Sequence, residues 1–444
     1  MKNTLKTLWI FGGFLLLTPL TMYGQQTVAS DDTLTIQECI DIAMENKVTI
    51  DIARQRRQSA QANEKSAFGE YLPSVNASLG GSRSISKGFD YGVQFQSPVE
   101  VTRDYYDMGL SLRQTIYNGG NVRNNYKMAT LASEQAQLRV KSAKENLVVD
   151  VTTAYLNVLR ARELVTVYER TLESSQAQVE QTEERYRLGA VAQSDVYKAK
   201  TQAGNDRINL LNQQQQLSNA KRELNVAMGR RASAPVILGV FEYESPEIPA
   251  LDVAMQQAQA SNKQIRQLEL EQRRSKANLA VARSNLLPSV AGSFSYGRSG
   301  DAIDKLYTDF SKGYNYRIGV NVSIPIFNQF RTDGFVQQRR ADYVIAQKDY
   351  SDAVLTLNMR VENLIEQLKT YGEVIELNEV SLQSAQEDLR LARERYNIGQ
   401  ATLLDVLDAQ AAITRARQML IYTKFEAKTV ETQLQRLTGQ LVTG

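Results

Sequence analysis

Histidine is missing altogether from the 444 residues, cysteine and tryptophan occur once each, and proline only eight times. Without histidine there is no imidazole base, no Ser-His-Asp relay and no imidazole ligand for a metal. A lone Cys39 can neither close an internal disulfide nor build a thiolate zinc cluster. Enzymes that need only carboxylates, such as glycosidases, require two acids converging in a pocket, and no such pair sits on segments that read as compactly folded. An enzyme, a cofactor and a metal centre are therefore not expected. Clustered basic charge is missing too: 52 Lys and Arg stand interspersed with 49 Asp and Glu for a net charge of +3. That excludes a nucleic-acid surface. Beyond the first residues no run is apolar enough for a transmembrane helix, so a membrane could be crossed only by β-strands.

What is present begins with an amino end of secretory type. Lys2 and Lys6 precede the apolar run Leu8 to Leu17, and small Gly24 stands before Gln25. The run is interrupted by Gly12, Gly13 and Pro19 and is too short for a permanent helical anchor, so residues 1–24 read as a cleaved signal peptide. Removing two lysines with it lowers the net charge from +3 to +1.

The rest of the chain is duplicated. Glu184-Arg-Tyr-Arg-Leu-Gly189 with Asp195-Val recurs as Glu394-Arg-Tyr-Asn-Ile-Gly399 with Asp405-Val, 210 positions later, and Leu72-Pro-Ser-Val75 recurs as Leu287-Pro-Ser-Val290 at 215. Five residues must therefore differ between the halves, in a loop. Each half carries two kinds of period. Val140, Leu147, Val151, Val158, Val165, Leu172 and Val179, with counterparts from Leu357 to Tyr396, step by threes and fours, the seam of a coiled coil. Leu110, Leu112 and Ile116, and Val320, Val322 and Ile324, alternate with polar residues, the pattern of strands with one apolar face.

The expected organisation is a first repeat over 25–229 and a second over 250–444, joined by an equatorial connection at 230–249. In the first, a helix (34–71) precedes strands at about 73–82 and 105–117, a long helix at 120–188 and a return helix at 190–228. In the second, the same order is a helix at 250–286, strands at about 288–299 and 314–327, a long helix at 330–398, a return helix at 400–437 and a tail. Four strands are too few to close a membrane barrel, which needs about eight, so several chains must combine. A soluble periplasmic coiled-coil structural or adaptor protein is the alternative; it accounts for the helices but not for the strands.

Signal peptide, duplicated halves, Leu-Pro-Ser before a strand, Ile116-Tyr-Asn-Gly119-Gly120 and Tyr396-x-x-Gly399-x-x-x-x-x-Asp405-Val-Leu-x-Ala-Gln410 together resemble the TolC family of outer-membrane efflux proteins. The resemblance implies a mainly helical fold with membrane β: a homotrimer with a twelve-stranded barrel in the outer membrane and a helical α-barrel in the periplasm. It further implies an exit duct for a tripartite efflux or type I secretion system, joined through a periplasmic adaptor to an inner-membrane transporter. On this reading Leu188, Gly189, Ala190, Ile398, Gly399 and Gln400 form the adaptor-docking tip. Ser194, Asp195, Tyr396, Asp405 and Asp408 form a periplasmic gate in which Ser194 and Asp195 bond Tyr396. The family's best-known member adds an arginine five residues after that tyrosine, where this chain has Ala401. Gly119, Gly120 and Pro325 would ease the bend from strand to helix.

Overall fold

A computed structural model of the chain describes residues 33–88, 99–239, 243–308 and 310–441; the expected signal peptide lies outside them. Each half runs helix, helix, strand, strand, long helix, helix. The first half comprises α1 (Ile36–Asn46), α2 (Val48–Gly69), β1 (Ser74–Gly88), β2 (Val99–Asn118), α3 (Asn121–Arg187) and α4 (Gln193–Ala227). The second comprises α5 (Leu251–Ser261), α6 (Lys263–Ser284), β3 (Ser289–Gly300), β4 (Tyr314–Ser323), α7 (Arg331–Asn397) and α8 (Leu403–Thr438). The helices α3 and α7 have 67 residues each, which at ~1.5 Å per residue is roughly 100 Å.

The helices expected at 34–71 and 250–286 are each broken in two. Lys47 and Asn262, 215 positions apart, are extended (ψ 115° and 119°), and the Asn262 side chain restarts its helix by accepting from the amides of Gln264 and Ile265. The cause is tertiary. The return helix α4 ends against the first break: a Cβ on Gly229 would lie 2.9 Å from the carbonyl oxygen of Asn46, and Lys47 Nζ donates to the carbonyl of Val226 at 2.8 Å. The second half repeats this, with Gly439 against Ser261 and the Ser261 hydroxyl donating to the carbonyl of Thr438 at 2.7 Å. Short and return helices thus meet end to end, with one carbonyl at the end of each return helix bonded by a side chain from the break it faces.

The four strands form one antiparallel sheet in the order β1-β2-β3-β4. Ser74 pairs with Arg113 and Ser289 with Ser323, equivalent positions of the two repeats, so both hairpins share a register and the five-residue difference sits in their outer turns. Strand extents differ from the sequence expectation. The first hairpin is longer, reaching Gly88 and Val99, because Arg83 lies opposite Asp104 and Lys87 opposite Glu100 as cross-strand ion pairs. Strand β4 stops at Ser323 instead of 327, since Pro325 has no amide to donate to a ladder.

Helix α3 is flanked on both sides, by α2 and α6 near the sheet and by α4 and α8 farther away, whereas α7 packs mainly against α6, α5 and α8. Burial follows: 21 residues of α3 are buried against nine of the equally long α7. The largest core lies at mid-height. There Cys39, Ile40 and Ala43 of α1 meet Leu147 to Leu159 of α3, Leu224 and Met228 near the end of α4, and Val236 and Leu238 of the connection. That connection is fastened by backbone bonding between Leu34 and residues 237 and 239, and by Arg162 donating to the carbonyls of Leu238 and Gly239. Burial pushes the Cys39 thiol up to about 11, which leaves it unreactive.

Gly229 has φ of +72° as well as a backbone oxygen where a Cβ would go. Gly229→Ala is expected to destabilise by about 1–3 kcal/mol, read as a lower midpoint in thermal unfolding of the detergent-solubilised protein. Gly372→Ala, mid-helix on α7 with open space around it, is expected to stabilise by roughly 0.5–1 kcal/mol.

Candidate functional site

Farthest from the sheet, the chain reverses twice. Leu188 caps the end of helix α3 and Ile398 that of helix α7, each followed by a left-handed glycine, Gly189 (φ +75°) and Gly399 (φ +79°). The amide of Ala190 donates to the carbonyl of Arg185 and that of Gln400 to the carbonyl of Arg395, both at 2.8 Å. These six-to-one bonds make each turn a Schellman motif. All six residues expected at the tip are exposed, with Leu188 at 74% and Ile398 at 69%, and a Cβ on either glycine would meet nothing within 4 Å. The turns therefore offer apolar side chains and uncrowded backbone to whatever approaches.

The return helices start differently. Helix α8 begins with a capping box: Asp405 Oδ2 accepts from the amide (2.7 Å) and hydroxyl (2.8 Å) of Thr402, while the Asp405 amide donates to Thr402 Oγ1. The backbone and hydroxyl bonds from Thr402 hold the Asp405 carboxyl below its ordinary range. Helix α4 follows Ala192, which supplies no side-chain cap; Ser194 is exposed, and Asp195 faces Lys198 at 3.3 Å. Asp408 is exposed, one turn beyond Asp405.

Tyr396 is 5% exposed and packs with Ala199, Leu389, Leu403 and Val406. Its hydroxyl has no hydrogen-bond partner, so the bond expected from Ser194 and Asp195 is not made within the chain; Asp195 is engaged by Lys198 instead. What ties the two turns together is Arg185. Its guanidinium lies 4.5 Å over the Tyr396 ring and donates to the carbonyls of Tyr396 (2.9 Å) and Asn397 (3.1 Å), while Gln181 donates to the Asn397 side chain. Ala401 packs against the apolar cluster at this site. Arg185 lies inside the repeated Glu184-Arg-Tyr motif, but nothing in that motif shows that it, rather than a residue at 401, reaches the second turn.

At the other end, Gly119 (φ +66°) and Gly120 (φ +84°) turn β2 into α3, with a Gly119 Cβ excluded by the carbonyl of Ser284 at 2.7 Å. Gln329 and Phe330 adopt the same left-handed conformation (φ 61° each) with full side chains. Asn118 and Asn328 cap the following helices, accepting from the amides of Val122 and Thr332. The apolar strand residues point outward: Val75, Leu79, Ile318, Val320 and Val322 are 57–74% exposed. Among the described residues no helix is long and apolar enough to cross a membrane and no acidic or cysteine cluster could hold a metal.

The model of the outer membrane efflux protein family matches residues 39–230 and 254–440, one match per repeat. The chain belongs to that family. Among its relatives, the outer membrane protein TolC of Vibrio cholerae serotype O1 is 23% identical over 410 residues, 91% of each chain. That of Escherichia coli K12 is 22% identical over 381 residues, 83% of this chain and 76% of the relative. The fold is shared with solved structures: CusC (TM-score 0.82, 20% identity, 91% of each chain) and VceC from Vibrio cholerae (0.79, 20%, 91% and 96%). The open state of the Neisseria gonorrhoeae MtrE outer membrane channel is similar as well (0.78, 19%, 91% and 88%). This efflux protein accordingly resides in the outer membrane through its strands and extends into the periplasm as helices. It is an outer-membrane exit duct.

The capping box yields a pH dependence. A carboxyl depressed in the folded state stabilises above its unfolded value of about 4, and the contribution is lost as pH falls through the folded value. Asp405→Asn should lower the protection of the Thr402 amide at neutral pH and abolish its further loss on acidification, read as hydrogen exchange relative to the intrinsic rate at each pH.

Proposed function

We propose that three copies of this chain form the outer-membrane duct of a tripartite efflux or type I secretion machine, reached through a periplasmic adaptor from an inner-membrane transporter. The observation that carries it is the four-stranded sheet with an apolar outer face and two open edges, β1 and β4. Such edges cannot remain unpaired in lipid, and three copies supply twelve strands. The printed names of relatives favour efflux: a solvent efflux pump outer membrane protein and a toluene efflux pump outer membrane protein of Pseudomonas putida are each 23% identical over 419 residues. A soluble periplasmic coiled-coil protein would have no use for the exposed strand face.

The tip residues Leu188, Gly189, Ala190, Ile398, Gly399 and Gln400 are the docking surface for the adaptor in this reading. Replacing both glycines with leucine is expected to abolish export of the transporter's substrate while heat-resistant trimers remain in the membrane. Normal export by the double variant would remove the tip from the docking surface.

The same turns border the gate. Asp405 and Asp408, three residues apart and both exposed, would place six carboxylates about one axis, where like charges raise the local cation concentration. Tyr396, Ser194 and Asp195 would join them when the tip closes. In single-channel recordings a trivalent cation added from the periplasmic side should block conduction, and Asp405→Asn with Asp408→Asn should relieve the block. Block that survives both substitutions would exclude the carboxylate ring.

A further inference from the structure

One row of the sheet carries the same unusual residue in both repeats. Counting from Ser74 and Ser289, the tenth residue of β1 is Arg83 and that of β3 is Arg298. Side chains alternate along a strand, so Arg298 shares a face with Phe294 and Tyr296, and its cross-strand neighbours are Met108 and Tyr314. That is the apolar face, the one turned to lipid. About ten tilted residues traverse the hydrocarbon, which sets both arginines at its outer boundary, where a charge beside lipid costs far less than at the midplane.

The two hairpins cover this charge differently. In the first, Asp104 stands opposite Arg83 and pairs with it at 2.6 Å. The equivalent of Asp104, 210 positions on, is Tyr314, which offers no carboxylate. Arg298 is covered instead by the turn that joins β3 to β4, of which 301–308 and 310–313 are among the described residues. Its Nη2 donates to the carbonyls of Lys305 (3.0 Å), Thr308 (2.8 Å) and Lys312 (3.2 Å), and its guanidinium lies 4.6 Å from the centre of the Phe310 ring. Only 3% of the residue stays exposed. A planar fork of donors that also stacks on an aromatic face suits this place, and a point charge such as lysine would not.

A second observation places the turn on the same face. Gly300, two residues beyond Arg298 and on its side of the strand, would put a Cβ 2.8 Å from the Cβ of Lys305, and Leu306 is buried. The short 3-10 segment Ile303–Leu306 packs on β3 and β2, in the middle of the sheet and away from both open edges. The turn therefore lies against the outside of the wall, where neither the lumen nor a further strand reaches it.

Three large apolar side chains remain uncovered on it: Ile303, Tyr307 and Phe310 are 55–65% exposed. They are continuous with the lipid face of the strands. Phe310 lies on the Arg298 guanidinium, Tyr314 stands opposite Arg298, and the Tyr314 ring stacks on that of Tyr316. Amphipathic rings gather where hydrocarbon meets headgroups. We propose that this turn is a lipid-binding foot: Arg298 holds it against the outer wall, and Ile303, Tyr307 and Phe310 bed into the outer leaflet at the boundary between acyl chains and headgroups. The foot fixes the depth at which the sheet sits, and it leaves the mouth of the duct clear of the second hairpin's turn.

The inference rests on the strands lying in lipid, and fluorescence quenching separates the two. Trp9 is the sole tryptophan of the sequence, so a Trp9→Phe background accepts single reporters. The protein is reconstituted in vesicles of phosphatidylcholine brominated high on its acyl chains, with iodide on both sides as the aqueous quencher. Val320→Trp, on the lipid face of β4, should be quenched by the brominated lipid and not by iodide, and Asn315→Trp, on the lumen face, by iodide alone. Tyr307→Trp should lose a fraction of its emission to the brominated lipid comparable to that of Val320→Trp. Adding Arg298→Gln, read on oligomers that remain heat-resistant, should abolish this lipid quenching at position 307 and expose it to iodide. Quenching of position 307 by iodide alone, with position 320 still quenched by lipid, would overturn the foot and leave the sheet in the membrane. Lipid quenching at 307 that survives Arg298→Gln would overturn the role of Arg298, and failure of lipid quenching at 320 would overturn the placement of the strands itself.

Discussion

A β-strand in hydrocarbon must find a partner for every backbone N–H and C=O, and among the described residues the sheet has four strands with two unsatisfied edges. That single requirement organises the rest of the molecule. The sheet cannot close on itself, so the helices that continue its outer strands cannot be fully covered either. Helix α7, which continues β4, buries fewer than half as many residues as α3, which continues the interior strand β2. The asymmetry between two helices of equal length and similar sequence pattern is thus inherited from their places in the sheet.

Much of this was legible in the sequence because it is written in local periodicity. The threes and fours of the long helices, the alternation of the strands and the repeated Gly189 and Gly399 all concern neighbours along the chain. The breaks at Lys47 and Asn262 were not legible, since nothing in Glu45-Asn-Lys-Val or Ser261-Asn-Lys-Gln forbids a continuous helix; they arise because the ends of α4 and α8 press there. The extra length of the first hairpin depends on Arg83 facing Asp104, a pairing visible only once the register is known. The capping box of Thr402 and Asp405 was within reach as a threonine followed three residues later by an acid. Arg185 was not, because its partners lie 211 and 212 residues away.

The two tips show how far duplicated sequence can diverge in environment without changing its backbone. Both turns carry the same glycine motif and the same pattern of main-chain bonds. Yet Tyr186 is 43% exposed where Tyr396 is buried, and Arg185 reaches across to the second turn while Arg395 is exposed. The second return helix is capped by a side chain and the first is not. Order at the tip is therefore concentrated in the second repeat, with the first supplying the arginine that holds it.

The unequal hairpins bear on the opposite end of the molecule. Both start level at Ser74 and Ser289, but β1 and β2 pair over fifteen rows and β3 and β4 over ten. Ten tilted rows suffice to traverse the hydrocarbon, so the remaining five, roughly 17 Å of strand at ~3.4 Å per residue, rise into the extracellular water. They carry the charged pair of Lys87 with Glu100, just beyond that of Arg83 with Asp104 in the tenth row, and β3 accompanies β2 only as far as Tyr106. Repeated around an axis, tall two-stranded ribbons would alternate with low ones. The paired strands of such a duct would therefore end at two heights around its outer rim, higher over each first hairpin than over each second.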